Sequence, residues 1–119
     1  MIRAVHLGKE AIIADLIDKG VDLNAQDENG NTALIIAVWN ENQTIARMLT
    51  DHGADVNIPD KDGFTALMMA AQYGKSAIVQ DLIDEGADVN FRNTNGHTAL
   101  SLCTSDAVKQ LLKKHGAQE

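Results

Sequence analysis

The segment DHGADVN (51–57) returns almost letter for letter as DEGADVN (84–90), and a looser copy, DKGVDLN, lies at 18–24. This repetition constrains the fold more than composition does, because a chain that repeats its sequence in register repeats a structural unit. Three lines align: GNTALIIAVWNENQTIARMLTDHGADVNIPDKD (30–62), GFTALMMAAQYGKSAIVQDLIDEGADVNFRNTN (63–95) and GHTALSLCTSDAVKQLLKKHGAQE (96–119). The period is 63 − 30 = 33 residues, and 96 − 63 gives it again. Run backwards, the register sets Ala4 under Ala37, Gly8 under Glu41 and Gly20 under Gly53. Residues 1–29 therefore read as a truncated first unit that enters partway along a helix.

Each unit carries its own local instructions. Thr32, Thr65 and Thr98 precede Ala-Leu and an apolar stretch, where a hydroxyl caps a short helix by accepting a first-turn N–H. After breaks at 40–42, 74–76 and 104–105, a second helix is expected. Its apolar residues, Ile45 and Leu49, then Ile78, Val79, Leu82 and Ile83, then Val108, Leu111 and Leu112, keep the spacing of one buried helical face. Gly53, Gly86 and Gly116 end it, since a residue without a Cβ enters the left-handed cap conformation cheaply. The stretches NIPDKDG and NFRNTNG that follow are turn-rich and read as hairpin-like fingers leading to the next unit.

Two helices this short cannot bury their faces alone, so stability must come from stacked neighbours. The expected fold is an all-α repeat solenoid of stacked helix-turn-helix units with hairpin-like fingers, one domain over 1–119. Its parts are a truncated N-terminal capping repeat (1–29), two full repeats (30–62 and 63–95) and a C-terminal capping repeat (96–119). At equivalent second-helix positions the series Ile13, Ala46, Val79 ends in Lys109, and Ile17, Thr50, Ile83 ends in Lys113, allowing for a three-residue deletion in the last unit. Apolar or small residues that become lysine are what a terminal cap requires, and on this reading the array stops there.

These residues resemble the ankyrin repeat: the 33-residue period, G-x-T-x-L at the junction of finger and helix, and G-A-D-V-N after the second helix. One departure is that the family's T-P-L-H is here TALI (32–35), TALM (65–68) and TALS (98–101). Both the helix-starting proline and the histidine that hydrogen-bonds between units are missing, although alanine is a good helix former. The resemblance implies a protein-binding module whose fingers and first helices form one concave face for the partner. Carried over residue by residue, the variable positions are Gln26, Glu28, Asn29 and Asn31 on the first finger, with Trp39 and Asn40 on its helix. The next unit supplies Pro59, Lys61, Asp62 and Phe64, then Gln72 and Tyr73; the last supplies Arg92, Thr94, Asn95 and His97, and the truncated first unit His6 and Leu7. Of four aromatic residues, Trp39, Phe64, Tyr73 and Phe91, three fall at these positions. Trp and Tyr bury large area at little rotamer cost; the competing use of Trp39 and Tyr73 is to pack on neighbouring first helices and stiffen the stack.

Chemistry other than binding finds little support. The repeated Asp and Asn residues do not meet the calcium-loop pattern of alternating oxygen ligands, a glycine at the sixth place and a glutamate at the twelfth. They read instead as side chains bonding their own turns. His52 and His115 stand at second-helix ends, where a partial positive charge suits the dipole, and His6 and His97 are isolated. Cys103 aligns with Ala37 and Ala70 and reads as a small buried position. Asn42-Gln43-Thr44 matches a glycosylation sequon, but Asn42 is better placed as a helix cap. No catalytic constellation, metal site or cofactor is expected.

A net charge of −7 argues against nucleic acid and anionic membranes and for a basic or mixed-charge protein partner. No apolar run is long enough to span a bilayer, so the chain reads as soluble and monomeric. Its single cysteine fits the cytoplasm, although an exported chain with its signal removed would read the same. The role expected is that of an inhibitor, immunity factor or adaptor. The alternatives are a self-associating structural protein, or a metal protein or enzyme whose site has no recognisable pattern.

Overall fold

The structure is a computed structural model that describes residues 1–118. Among the described residues it contains eight helices and no strand: α1 (Ile2–His6), α2 (Glu10–Asp18), α3 (Ala33–Trp39), α4 (Gln43–Asp51), α5 (Ala66–Gln72), α6 (Ser76–Asp84), α7 (Ala99–Leu102) and α8 (Asp106–Lys114). Each odd-numbered helix packs on the helix that follows it. Odd helices also stack α1 on α3 on α5 on α7, and the even ones α4 on α6 on α8. The result is an elongated stack measuring 41 × 26 × 20 Å.

The local signals act where the sequence places them. Thr32 Oγ1 accepts the Ile35 N–H at 3.2 Å, Thr65 Oγ1 that of Met68 at 3.3 Å, and Thr98 Oγ1 that of Ser101 at 3.3 Å. Ser101 returns the favour by accepting the Thr98 N–H at 2.9 Å, which closes a capping box. Asn42 Oδ1 caps α4 through the Ile45 N–H at 3.0 Å. Gly53, Gly86 and Gly116 take φ of +90°, +93° and +97°, and each following N–H reaches back five residues to a leucine carbonyl of the preceding helix at 3.0 Å.

The deletion in the last unit shortens the first helix rather than the loop. Helix α7 has four residues, against seven in α3 and α5. Cys103 consequently falls beyond the helix end, extended at φ −68° and ψ 143°, and it is half-buried. This corrects the buried helical position expected from its alignment with Ala37 and Ala70, because the missing residues leave no second turn to carry it inward. Its thiol donates to the Leu100 carbonyl at 3.1 Å.

The Asp and Asn of the repeated motif divide their work. Asp22, Asp55 and Asp88 each accept the N–H two residues on, from Asn24, Asn57 and Asn90, at 2.9, 2.9 and 3.0 Å. The asparagines instead reach the next unit. Asn24, Asn57 and Asn90 Oδ1 accept the N–H of Asp55, Asp88 and Gln118 at 2.8, 2.7 and 2.9 Å. Asn57 and Asn90 Nδ2 also donate to the carbonyls of Gly86 and Gly116, both at 3.1 Å. An asparagine fits because it both accepts and donates, which aspartate at this position would not do. This ladder ties units together in a chain that lacks the histidine expected to do so.

Two consequences can be measured. Asn57→Ala removes both inter-unit bonds and should cost about 1–2 kcal/mol in urea unfolding; Asn24→Ala, which removes the bond to Asp55, should cost less. Equal midpoints for Asn57→Ala and the parent would show that the ladder adds nothing net. Glu41 occupies the left-handed region at φ +58°, where the equivalent residues are Gly8 (+66°) and Gly74 (+70°). Its carboxylate pairs with Lys75 Nζ at 2.9 Å, but both side chains are about half exposed, so the pair is weak. Glu41→Gly should therefore stabilise the chain by roughly 0.5–1 kcal/mol, seen as a higher Tm. A lower Tm would mean that the ion pair outweighs the backbone strain.

Candidate functional site

The fingers are built on one residue each. Asp27 Oδ1 accepts the N–H of Asn29 and of Asn31, both at 2.9 Å; Asp60 Oδ1 accepts those of Asp62 and Phe64 at 2.9 and 3.0 Å; Asn93 Oδ1 accepts those of Asn95 and His97 at 3.0 and 2.9 Å. The backbone closes each turn through Asp27 N–H to Asn31, Asp60 N–H to Phe64 and Asn93 N–H to His97, all at 2.9 Å. The fingers are thus hairpin-like turns. Hydrogen bonding from Asn31 holds the Asp27 carboxyl below its usual range; burial opposes this, and the Asn29 N–H adds to the lowering. Asn93 does the same work with an amide, whose buried Nδ2 is left without a partner.

Adjacent fingers touch through their backbones. Lys61 N–H donates to the Asn29 carbonyl at 3.1 Å, and Thr94 N–H and Oγ1 donate to the Asp62 carbonyl at 3.2 and 2.9 Å. This approach needs Gly30 and Gly63, where a Cβ would stand 2.7 Å from Lys61 N and 2.8 Å from Asn93 Cα. The first two fingers are thereby fixed side by side, beside the ends of α3 and α5.

Against the two fingers and helices α3 and α5 lies an open groove of about 430 Å³. Its finger residues are Asn29, Asn31, Asp60, Lys61 and Asp62; the rest of the lining is Trp39, Phe64, Met69, Gln72 and Tyr73. Trp39 ends α3 and is 52% exposed, and Tyr73 caps α5 and is 40% exposed. Roughly half of each residue therefore stays open to solvent. Phe64 differs, being half-buried and packed against the core. Helices α3 and α5 contain no charged residue, so the groove takes its charge from Asp60, Lys61 and Asp62, with Lys61 Nζ on Asn29 Oδ1 at 3.2 Å. An aromatic and amide surface with a small excess of carboxylate suits contact with a protein surface carrying apolar and cationic side chains.

Eight of the residues expected from sequence thus line one groove: Asn29, Asn31, Trp39, Lys61, Asp62, Phe64, Gln72 and Tyr73. Four do not. Glu28 is exposed on the first finger and Asn40 at the end of α3. Arg92 and His97 belong to the third finger, Arg92 donating to the Gly96 carbonyl at 3.1 Å and His97 Nδ1 lying 3.4 Å from Ser101 Oγ. Two lining residues escaped the sequence reading. Met69 stands one helical turn before Tyr73 and so shares its face, a spacing that could have found it; Asp60 was hidden by its structural work in the turn. Among the described residues no three His, Cys, Asp or Glu side chains converge as metal ligands, and no helix is long and apolar enough to cross a membrane.

Two family profiles, both described as ankyrin repeats (many copies), match residues 1–50 and 49–103. No curated protein matches the sequence. Among solved structures 514 chains match, a breadth that ties the fold to no single function. One of them is the ankyrin repeat domain of Bcl-3, described as a unique member of the IkappaB protein family, with a TM-score of 0.89 and 32% identity. The match covers 92% of this chain and 49% of that one, so the chain spans about half its length. With the profiles running together over residues 1–103 and the helix pairs superposing on a solved ankyrin domain, the chain belongs to the ankyrin repeat family.

Proposed function

We propose that this chain binds a partner protein through the groove lined by its first two fingers and helices α3 and α5, with Trp39 and Tyr73 as anchors and no catalysis of its own. Ankyrin repeats are protein–protein interaction modules. The observation that carries the reading for this chain is the meeting of its two exposed aromatic side chains on one groove flanked by finger backbone. Large, half-exposed rings held at helix ends lose little entropy on binding and dominate interface energies.

The partner is basic or of mixed charge. Asp60 and Asp62 in the groove, and Glu28 outside it, would steer such a surface, while the net charge of −7 repels acidic ones. The chain works as a cytoplasmic monomer that occupies a surface, as an inhibitor, immunity factor or adaptor. The third finger, bearing Arg92 and His97, extends the same binding face without closing the groove.

The test is capture of the partner on immobilised chain, followed by titration calorimetry with parent and variant. Trp39→Ala combined with Tyr73→Ala should leave the circular dichroism unchanged and weaken affinity more than tenfold, the loss of about 2 kcal/mol expected of one central anchor. Added salt should lower the association rate. Unchanged affinity together with a collapsed Tm would assign both rings to packing instead.

A further inference from the structure

Asn29 and Asn95 are the asparagines that glycine follows, in the turns of the first and third fingers. Elsewhere the next residue has a side chain, which shields the carboxamide from the following peptide nitrogen. The two turns fold alike: Gly30 N–H donates to Asp27 at 3.0 Å and Gly96 N–H to Asn93 at 2.9 Å, at φ of +79° and +81°. What lies beyond them differs. The Asn29 carbonyl accepts the Lys61 N–H at 3.1 Å, its Oδ1 accepts Lys61 Nζ at 3.2 Å, and Gly30 is packed on the next finger. Asn95 is exposed, no hydrogen bond reaches its carbonyl or carboxamide among the described residues, and nothing stands within 4 Å of a Cβ built on Gly96. Arg92 Nη1 also donates to the Gly96 carbonyl at 3.1 Å, a cation where the first finger has the neutral Gln26.

We propose that Asn95–Gly96 is a self-modification site, where the asparagine converts without an enzyme to aspartate and isoaspartate well ahead of Asn29. The Gly96 backbone nitrogen gives up its proton and attacks Asn95 Cγ, forming a C–N bond. The Cγ–Nδ2 bond breaks, and Nδ2 leaves as ammonia with that proton, closing a five-membered succinimide. Water then opens the ring, at Cγ to give aspartate or at the backbone carbonyl to give isoaspartate. One water is consumed and one ammonia released, with no oxidation or reduction. Attack requires the Asn95 backbone and carboxamide to rotate towards each other. The clamp from Lys61 resists that rotation at Asn29, and the Arg92 cation favours the anionic nitrogen at Gly96. The product places a carboxylate beside Arg92 on the one finger, FRNTNGH, that carries no acidic residue.

Ageing the purified chain in neutral buffer, with peptide mapping by mass spectrometry and enzymatic isoaspartate labelling, reads both sites at once. Asn95 should convert on the order of tenfold faster than Asn29, the factor set by opening about two further hydrogen bonds. Asn95→Gln should remove most of the label, and Lys61→Ala, which frees the Asn29 carboxamide, should narrow the gap. Conversion at Asn29 as fast as at Asn95 overturns the proposal. So does an unchanged Asn95 in folded chain when the same residue converts in a denatured sample.

Discussion

No unit of this chain can bury its own apolar face, and the rest of the structure follows from that. The clearest sign is one position compared across four units. Ile45, Ile78 and Val108 are 0%, 3% and 0% exposed, while their equivalent Ile12, in the first described unit, is 50% exposed. The same side-chain type at the same helical position is buried or bare according to its neighbour. Helix α3, between α1 and α5, buries six of its seven residues, although a helix that short has almost no stability in water.

Stacking of this kind leaves spacing and rotation between units to be fixed by something more directional than apolar contact. Hydrogen bonds supply it at two levels. At the base of the fingers Asn24, Asn57 and Asn90 bond forward to the next unit, and nearer the tips Lys61 and Thr94 bond backwards to the preceding finger. Arg47 and Asp81 add a pair at 2.8 Å between α4 and α6, on a more exposed surface where such pairs contribute little. The groove is a by-product of this arrangement. Once fingers are held in register, the half-exposed helix-end residues Trp39 and Tyr73 are presented together beside the finger turns.

The repeating period, the threonine caps, the glycine ends and the two-helix unit were all legible in the letters, because each rests on bonds between residues a few places apart. Asn42 as a cap was legible for the same reason. The role of Asn57 was not: its partners lie 29 and 31 residues away, and the sequence alone made it a member of its own turn. Cys103 shows a different failure. Alignment could place the three-residue deletion near the break, but whether helix or loop absorbs it depends on which residues the neighbouring unit will cover.

For the candidate site, sequence marked positions one by one and tertiary structure grouped them. Trp39 and Tyr73 are not equivalent in the repeat, since Trp39 aligns with Gln72 and Asn40 with Tyr73. Their convergence on one groove therefore depends on how one unit sits on the next, which no local spacing encodes. The sequence by itself determined the unit, its period and its ends, as capping and turn bonds close within about six residues. Only the stack decided which asparagines join units, how neighbouring fingers bond and which aromatic residues share a groove, since these involve residues about a full repeat apart.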